Sequence, residues 1–129
     1  MPSGLIALRD EQLRAMGAVL EERYAGEVLA HVRSIFPGRV RALGEGPARA
    51  LIRRALARGK EHGLSRERNL TLFVDLYFAL GREWESLPGT LWLRKLLQDR
   101  SRGEDARIWL VYRRLPARAP GAGDGPEAP

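Results

Sequence analysis

"NLTLFVDLYFALG", Asn69 to Gly81, is the most apolar stretch of the chain, yet Asp75 sits near its middle. On a helical wheel of about 3.6 residues per turn, Asp75 shares a narrow line with Arg68, Thr71, Ala79 and Arg82. Leu70, Leu72, Phe73, Val74, Leu76, Tyr77, Phe78 and Leu80 fill the rest. That pattern predicts a helix buried on nearly all sides, the centre of an all-α fold. Asp75 then either reaches solvent along the polar line or pairs with an Arg of this or a neighbouring helix. Asp75, Arg68 and Arg82 are read as structural polar residues, because a lone buried carboxylate lacks the second group that acid–base catalysis needs.

The flanking sequence predicts further helices. Upstream, Leu13, Met16, Leu20, Tyr24, Val28, His31 and Ile35 recur at steps of three and four, which predicts one helix face from Asp10 to Phe36, ended by Pro37-Gly38. Gly17 and Gly26 each cost that helix roughly 1 kcal/mol relative to Ala, which favours a bend or split there. After the basic segment "GRVRALGEG", Pro47 stands where a helix accepts its first residue. That second helix buries Leu51, Ile52, Ala55 and Leu56, turns Arg49, Arg53, Arg54 and Arg58 to its other face, and stops at a left-handed Gly63. Ser65 is placed to cap the central helix, with Glu67 in its first turn.

Downstream, "REWESLPGTLW" reads as a loop with Trp84, Leu87, Pro88 and Trp92. Thr90 precedes a short helix to Leu97, and "SRGE", Ser101 to Glu104, has the spacing of a capping box. The helix it opens would bury Ile108, Trp109, Tyr112 and Leu115, although "IWLVY" also fits a strand. From Pro116 the sequence "PARAPGAGDGPEAP" has too little apolar surface to fold. Residues 1–115 are therefore expected to form a single compact domain of about five helices around the central apolar one, and 116–129 a disordered Pro/Gly-rich tail.

Composition narrows the function classes. The 129 residues are 44% hydrophobic and 29% charged, as in a soluble globular domain, with a formal charge of +6. Of 22 basic residues only Lys60 and Lys95 are lysines, a skew that a GC-rich coding sequence produces, which weakens basicity as a sign of a nucleic-acid partner. No cysteine is present, which excludes disulfides, thiolate metal sites and a Cys nucleophile. "MPSGLIALRDEQ" lacks the basic start and apolar run of a secretion signal, and no apolar run reaches the ~20 residues of a membrane span, so the chain reads as cytoplasmic.

No constellation assembles an active site. His31 and His62 are the only histidines and neither lies in a zinc-binding pattern. His31 reads as a satisfied, mostly buried residue, and His62 as a favourable charge near a helix C-terminus. No catalytic residue, metal site or cofactor is expected. Arg49, Arg53, Arg54 and Arg58 are the candidate anion or nucleic-acid contacts, and with Lys60, Arg66 and Arg68 they surround a turn resembling a helix-turn-helix in outline. The helix after that turn is too apolar to read bases, so any nucleic-acid contact would be nonspecific, through phosphates.

The segment "FVDLYFALGREWESLPGTLWLRKLLQD" resembles a family of small, uncharacterised all-helical proteobacterial proteins often encoded beside type VI secretion genes. Asp75, Gly81, Trp84, Pro88, Trp92 and Leu96-Leu97 carry the resemblance, which extends loosely back to Asp10. It implies a non-enzymatic adaptor or accessory role near a contractile secretion apparatus or its effectors, with another protein as partner. The loop residues Trp84, Leu87, Pro88 and Trp92 are the expected recognition surface, since tryptophan is enriched at interaction hot spots. The alternatives are a basic protein bound to phosphate backbones and an immunity protein occupying a toxin's active site.

Overall fold

A computed structural model describes residues 2–116, with side chains described for 11, 12 and 14–116. The expected tail, Pro116 apart, lies outside the described residues. The fold is all-α, and the described residues contain no strand. Among the described residues six helices form it: α1 (Pro2–Ile35), α2 (Pro37–Leu43), α3 (Glu45–Glu61), α4 (Glu67–Ala79), α5 (Leu91–Gln98) and α6 (Glu104–Arg114). Two 3-10 turns, Trp84–Ser86 and Pro88–Thr90, link α4 to α5.

The sixth helix is α2, in the segment read as a basic linker. Pro37 ends α1, but its fixed φ also suits the first position of a new helix. Phe36 before it stacks on Phe78 of α4, with ring centroids 6.2 Å apart. α3 begins at Glu45, so Pro47 sits within its first turn rather than at its start. α1 runs unbroken through Gly17 and Gly26.

The central helix is α4. Phe73, Val74, Leu76, Tyr77 and Phe78 are all buried, as the sequence predicts, and so are Leu51, Ile52, Ala55 and Leu56 of α3. α3 lies close against α4 because Gly59 faces it: a Cβ there would come within 2.8 Å of a Leu70 methyl and 3.1 Å of the Phe73 ring. Gly63, at φ +83, ends α3 in the left-handed conformation that glycine adopts without strain.

Two expected caps are replaced by longer-range contacts. "SRGE" forms no capping box: the Ser101 hydroxyl donates to Asp99 at 2.5 Å, and Glu104 turns towards the start of α4. There its carboxylate accepts from the N–H groups of Ser65 and Arg66 at 3.0 Å, the Ser65 hydroxyl at 2.7 Å and the Asn69 amide at 2.9 Å. Ser65 therefore caps nothing itself. Glu104 supplies negative charge at the positive end of α4 from another helix.

α6 is helical throughout "IWLVY". Ile108 and Val111 are buried and Tyr112 and Leu115 half-buried, but Trp109 is 58% exposed, against the expectation that it is core. Arg107 takes an inward position instead. It is 3% exposed, and its Nη1 donates to the carbonyls of His62 at 2.8 Å and Leu97 at 2.5 Å. No described helix is long and apolar enough to cross a membrane.

Candidate interaction surface

The loop expected to carry recognition folds inward at its first tryptophan. After α4, Gly81 at φ +106 reverses the chain and places Trp84 under the helix, fully buried. Its ring meets Phe73 and Tyr77 edge-on, with centroids 5.9 and 5.6 Å away. Trp84 is thus a core residue and not part of a recognition surface. Trp92 is half-buried, with the Arg114 guanidinium 4.7 Å from its ring centre. Only Leu87 and Pro88 of the four expected contact residues stand at the surface, joined by Leu91, 47% exposed.

Glu85, the next residue, explains why the loop stays inside. Its carboxylate accepts from Arg58 Nη2 at 2.7 Å and Nε at 3.1 Å, from the Tyr77 hydroxyl, and lies 3.3 Å from His62 Nε2. Burial alone would raise its pKa, but the bonds from Arg58, Tyr77 and His62 outweigh that and hold it at about 2. Burial in turn lowers the pKa of His62, which stands at the C-terminal end of α3 as the sequence predicts and packs into this network. The network ties α3, α4 and the loop together.

The arginines of α3 face carboxylates. Arg49 and Arg53 both hold Glu22 of α1, at 3.0 and 2.6 Å, and Arg58 holds Glu61 at 2.6 Å besides Glu85. Arg54 donates to the Arg82 carbonyl at 2.6 Å, approaches Glu83 at 3.8 Å and lies 5.9 Å from the Tyr77 ring centre. A face that reads as uniformly basic in sequence is thus neutralised by Glu22, Glu61, Glu83 and Glu85.

Asp75 pairs with a histidine and not with an arginine. Nε2 of His31 lies 3.0 Å from both carboxylate oxygens, while Arg68 and Arg82 are exposed and take no part. His31 is satisfied, as expected, with its side chain 34% exposed. One turn along, the Tyr24 hydroxyl donates to the Glu67 carbonyl at 2.7 Å and lies 2.6 Å from the Thr71 hydroxyl. Tyr112 closes the other side by donating to the Leu72 carbonyl.

These contacts fix where α1 stops being covered. Tyr24 meets Glu67, the first residue of α4, and Glu21 meets Lys60, one residue before the end of α3, at 3.0 Å. Upstream of Glu21, α1 outruns α3 and α4. Residues 11–20 add roughly 15 Å of helix beyond the body. Met16 is 61%, Val19 67% and Leu20 59% exposed. The buried face of α1 is instead Ala25, Val28, Leu29 and Val32; Ile35 is also exposed, and the Leu13 side chain lies outside those described. The apolar stripe of the sequence is therefore present, but over its first half nothing in the described chain packs on it.

Among the described residues no group of three or more His, Asp or Glu side chains is arranged to hold a metal ion. Compared with protein-family models, curated proteins and solved structures, the chain matches none.

Proposed function

We propose that this protein is a non-catalytic interaction module of the cytoplasm, an adaptor or accessory protein that docks a partner protein along the projecting half of α1. The observation that carries this reading is the row Met16, Val19 and Leu20, three large apolar side chains each more than half exposed on a regular helix. Contiguous exposed apolar surface on a folded domain commonly marks an interaction site, and an amphipathic helix offers its partner anchors at steps of three and four. The pairing of Arg49, Arg53 and Arg58 with carboxylates supports this reading over phosphate-backbone binding, because paired guanidinium groups release few counterions on contact. The resemblance of the segment around Asp75 to type VI secretion-associated proteins points to a tip component or effector as the partner.

Co-expression with the products of the neighbouring genes, followed by purification through a tag on this chain, tests the reading. A stoichiometric complex that Met16→Ser with Leu20→Ser dissolves, while the thermal melt of the free chain stays unchanged, supports it. A complex indifferent to that double substitution removes α1 from the account.

A further inference from the structure

Where α5 and α6 meet, the surface is basic and aromatic at once. Trp109 is 58% exposed and has the Arg113 guanidinium 5.0 Å from its ring centre, while Trp92 has that of Arg114 at 4.7 Å. Arg113 and Arg114 are consecutive, so one peptide bond of α6 joins the two indole–guanidinium pairs. Lys95 is exposed one turn on from Trp92. Trp109 also walls an open cleft of about 520 Å³ between α4 and α6, lined by Leu72, Ile108 and Tyr112 and bordered by exposed Arg68. Asp105, the carboxylate of this cleft, is taken by Arg66 at 2.8 Å and by the Asn69 amide at 2.7 Å. Among the described residues none of Arg68, Lys95, Arg113 and Arg114 pairs with a carboxylate, the opposite of the α3 face.

Four cations without carboxylates favour a polyanion, because contact with its phosphates releases condensed counterions. The two indoles narrow the choice of polyanion. Bases of a single strand stack on aromatic side chains, and a guanidinium beside the ring adds to the attraction. A duplex hides those base faces in its own stack, and an acidic peptide has no planar ring at each step to set against the indoles. We propose that the α5–α6 surface binds single-stranded nucleic acid, with bases stacked on Trp109 and Trp92 and phosphates met by Arg68, Lys95, Arg113 and Arg114. The surface shares no residue with the projecting half of α1 or with the arginines of α3, so it stands or falls independently of the docking reading given above.

Fluorescence anisotropy of a labelled single-stranded DNA of about 12 nucleotides, titrated with the full chain, tests it. The strand should bind at least about fivefold more tightly than the duplex it forms with its complement, quench tryptophan emission, and lose at least about tenfold in affinity between about 50 and about 200 mM salt. Trp109→Ala should weaken binding at least about fivefold and Trp109→Phe should keep most of it, since stacking needs a ring. Arg113→Gln with Arg114→Gln should weaken it at least about tenfold, whereas Arg53→Gln on α3 should leave it unchanged. All four positions are exposed, so circular dichroism melts of these variants should match the wild type. No detectable binding at about 50 mM salt, a duplex bound as tightly as the strand, indifference to Trp109→Ala, or weakening by Arg53→Gln in place of the α6 pair overturns the proposal. Polyglutamate that competes as well as the unlabelled strand overturns it equally, by making the surface a site for acidic protein.

Discussion

The imidazole of His31 bridges both oxygens of Asp75 at 3.0 Å, joining α1 to the one polar line of the central helix. Burial raises the pKa of this carboxyl, and the bond to His31 works against that rise. Asp75→Asn keeps an acceptor for the ring and should lower stability by about 1 kcal/mol at pH 7. Asp75→Leu removes the acceptor as well and should cost about 2–3 kcal/mol, since His31 is left unpaired. Urea unfolding measures both, and partner binding by either folded variant should persist. A stable Asp75→Asn protein that has lost all function would make the carboxylate functional.

Trp84 carries the loop into the core, so Trp84→Ala should lower stability by about 3–5 kcal/mol. Trp84→Phe should cost a fraction of that, because a phenyl ring keeps the edge contacts with Phe73 and Tyr77 and deletes an indole N–H that has no hydrogen-bond partner. Denaturant midpoints decide the matter. A Trp84→Ala protein as stable as the wild type would restore the loop as a surface feature.

Trp109 should behave oppositely. With the Arg113 guanidinium 5.0 Å from its ring centre and more than half its surface in water, Trp109→Ala should change stability by no more than about 0.5 kcal/mol. The loss should fall on the red-shifted, iodide-quenchable part of the emission. Unaltered quenching in Trp109→Ala would show that another indole is the exposed one.

The Glu85 network predicts acid sensitivity of a defined sign. Its folded pKa, about 2, lies below the 4.5 of a free glutamate, so the native state binds fewer protons than the unfolded chain between these values. The stabilisation is complete above pH 4.5 and is lost as the pH falls towards 2. Glu104, also held at about 2, acts in the same window. Glu85→Gln should therefore flatten part of the acid limb of a stability–pH profile and leave the remainder. An acid limb of unchanged slope would contradict the network.

The central helix was legible because an apolar run with one polar line admits few other packings. The inward face of α3 and the stop at Gly63 were equally local signals. What sequence could not show depended on where distant elements begin. The stripe from Met16 to Ile35 is periodic, but whether it is covered depends on α4 starting opposite Tyr24, 43 residues away in sequence. Glu104 stands at capping-box spacing from Ser101 yet bonds Ser65, 39 residues back. Trp84 and Trp109 exchange their expected places because the turn at Gly81 and the register of α6 decide which indole points inward. Arg107 was detectable: it occupies the same face as Ile108 and Val111, a position that an arginine takes only when its donors find carbonyls.

Hydrogen exchange along α1, in the free chain and in the purified complex with its partner, tests the docking reading most directly. Residues 11–20, beyond the last contact with α3 and α4, should exchange quickly in the free chain, and residues 25–32, packed in the core, slowly. In the complex the account predicts strong slowing across residues 11–20. Protection confined to other segments, with residues 11–20 exchanging as fast as before, would contradict it.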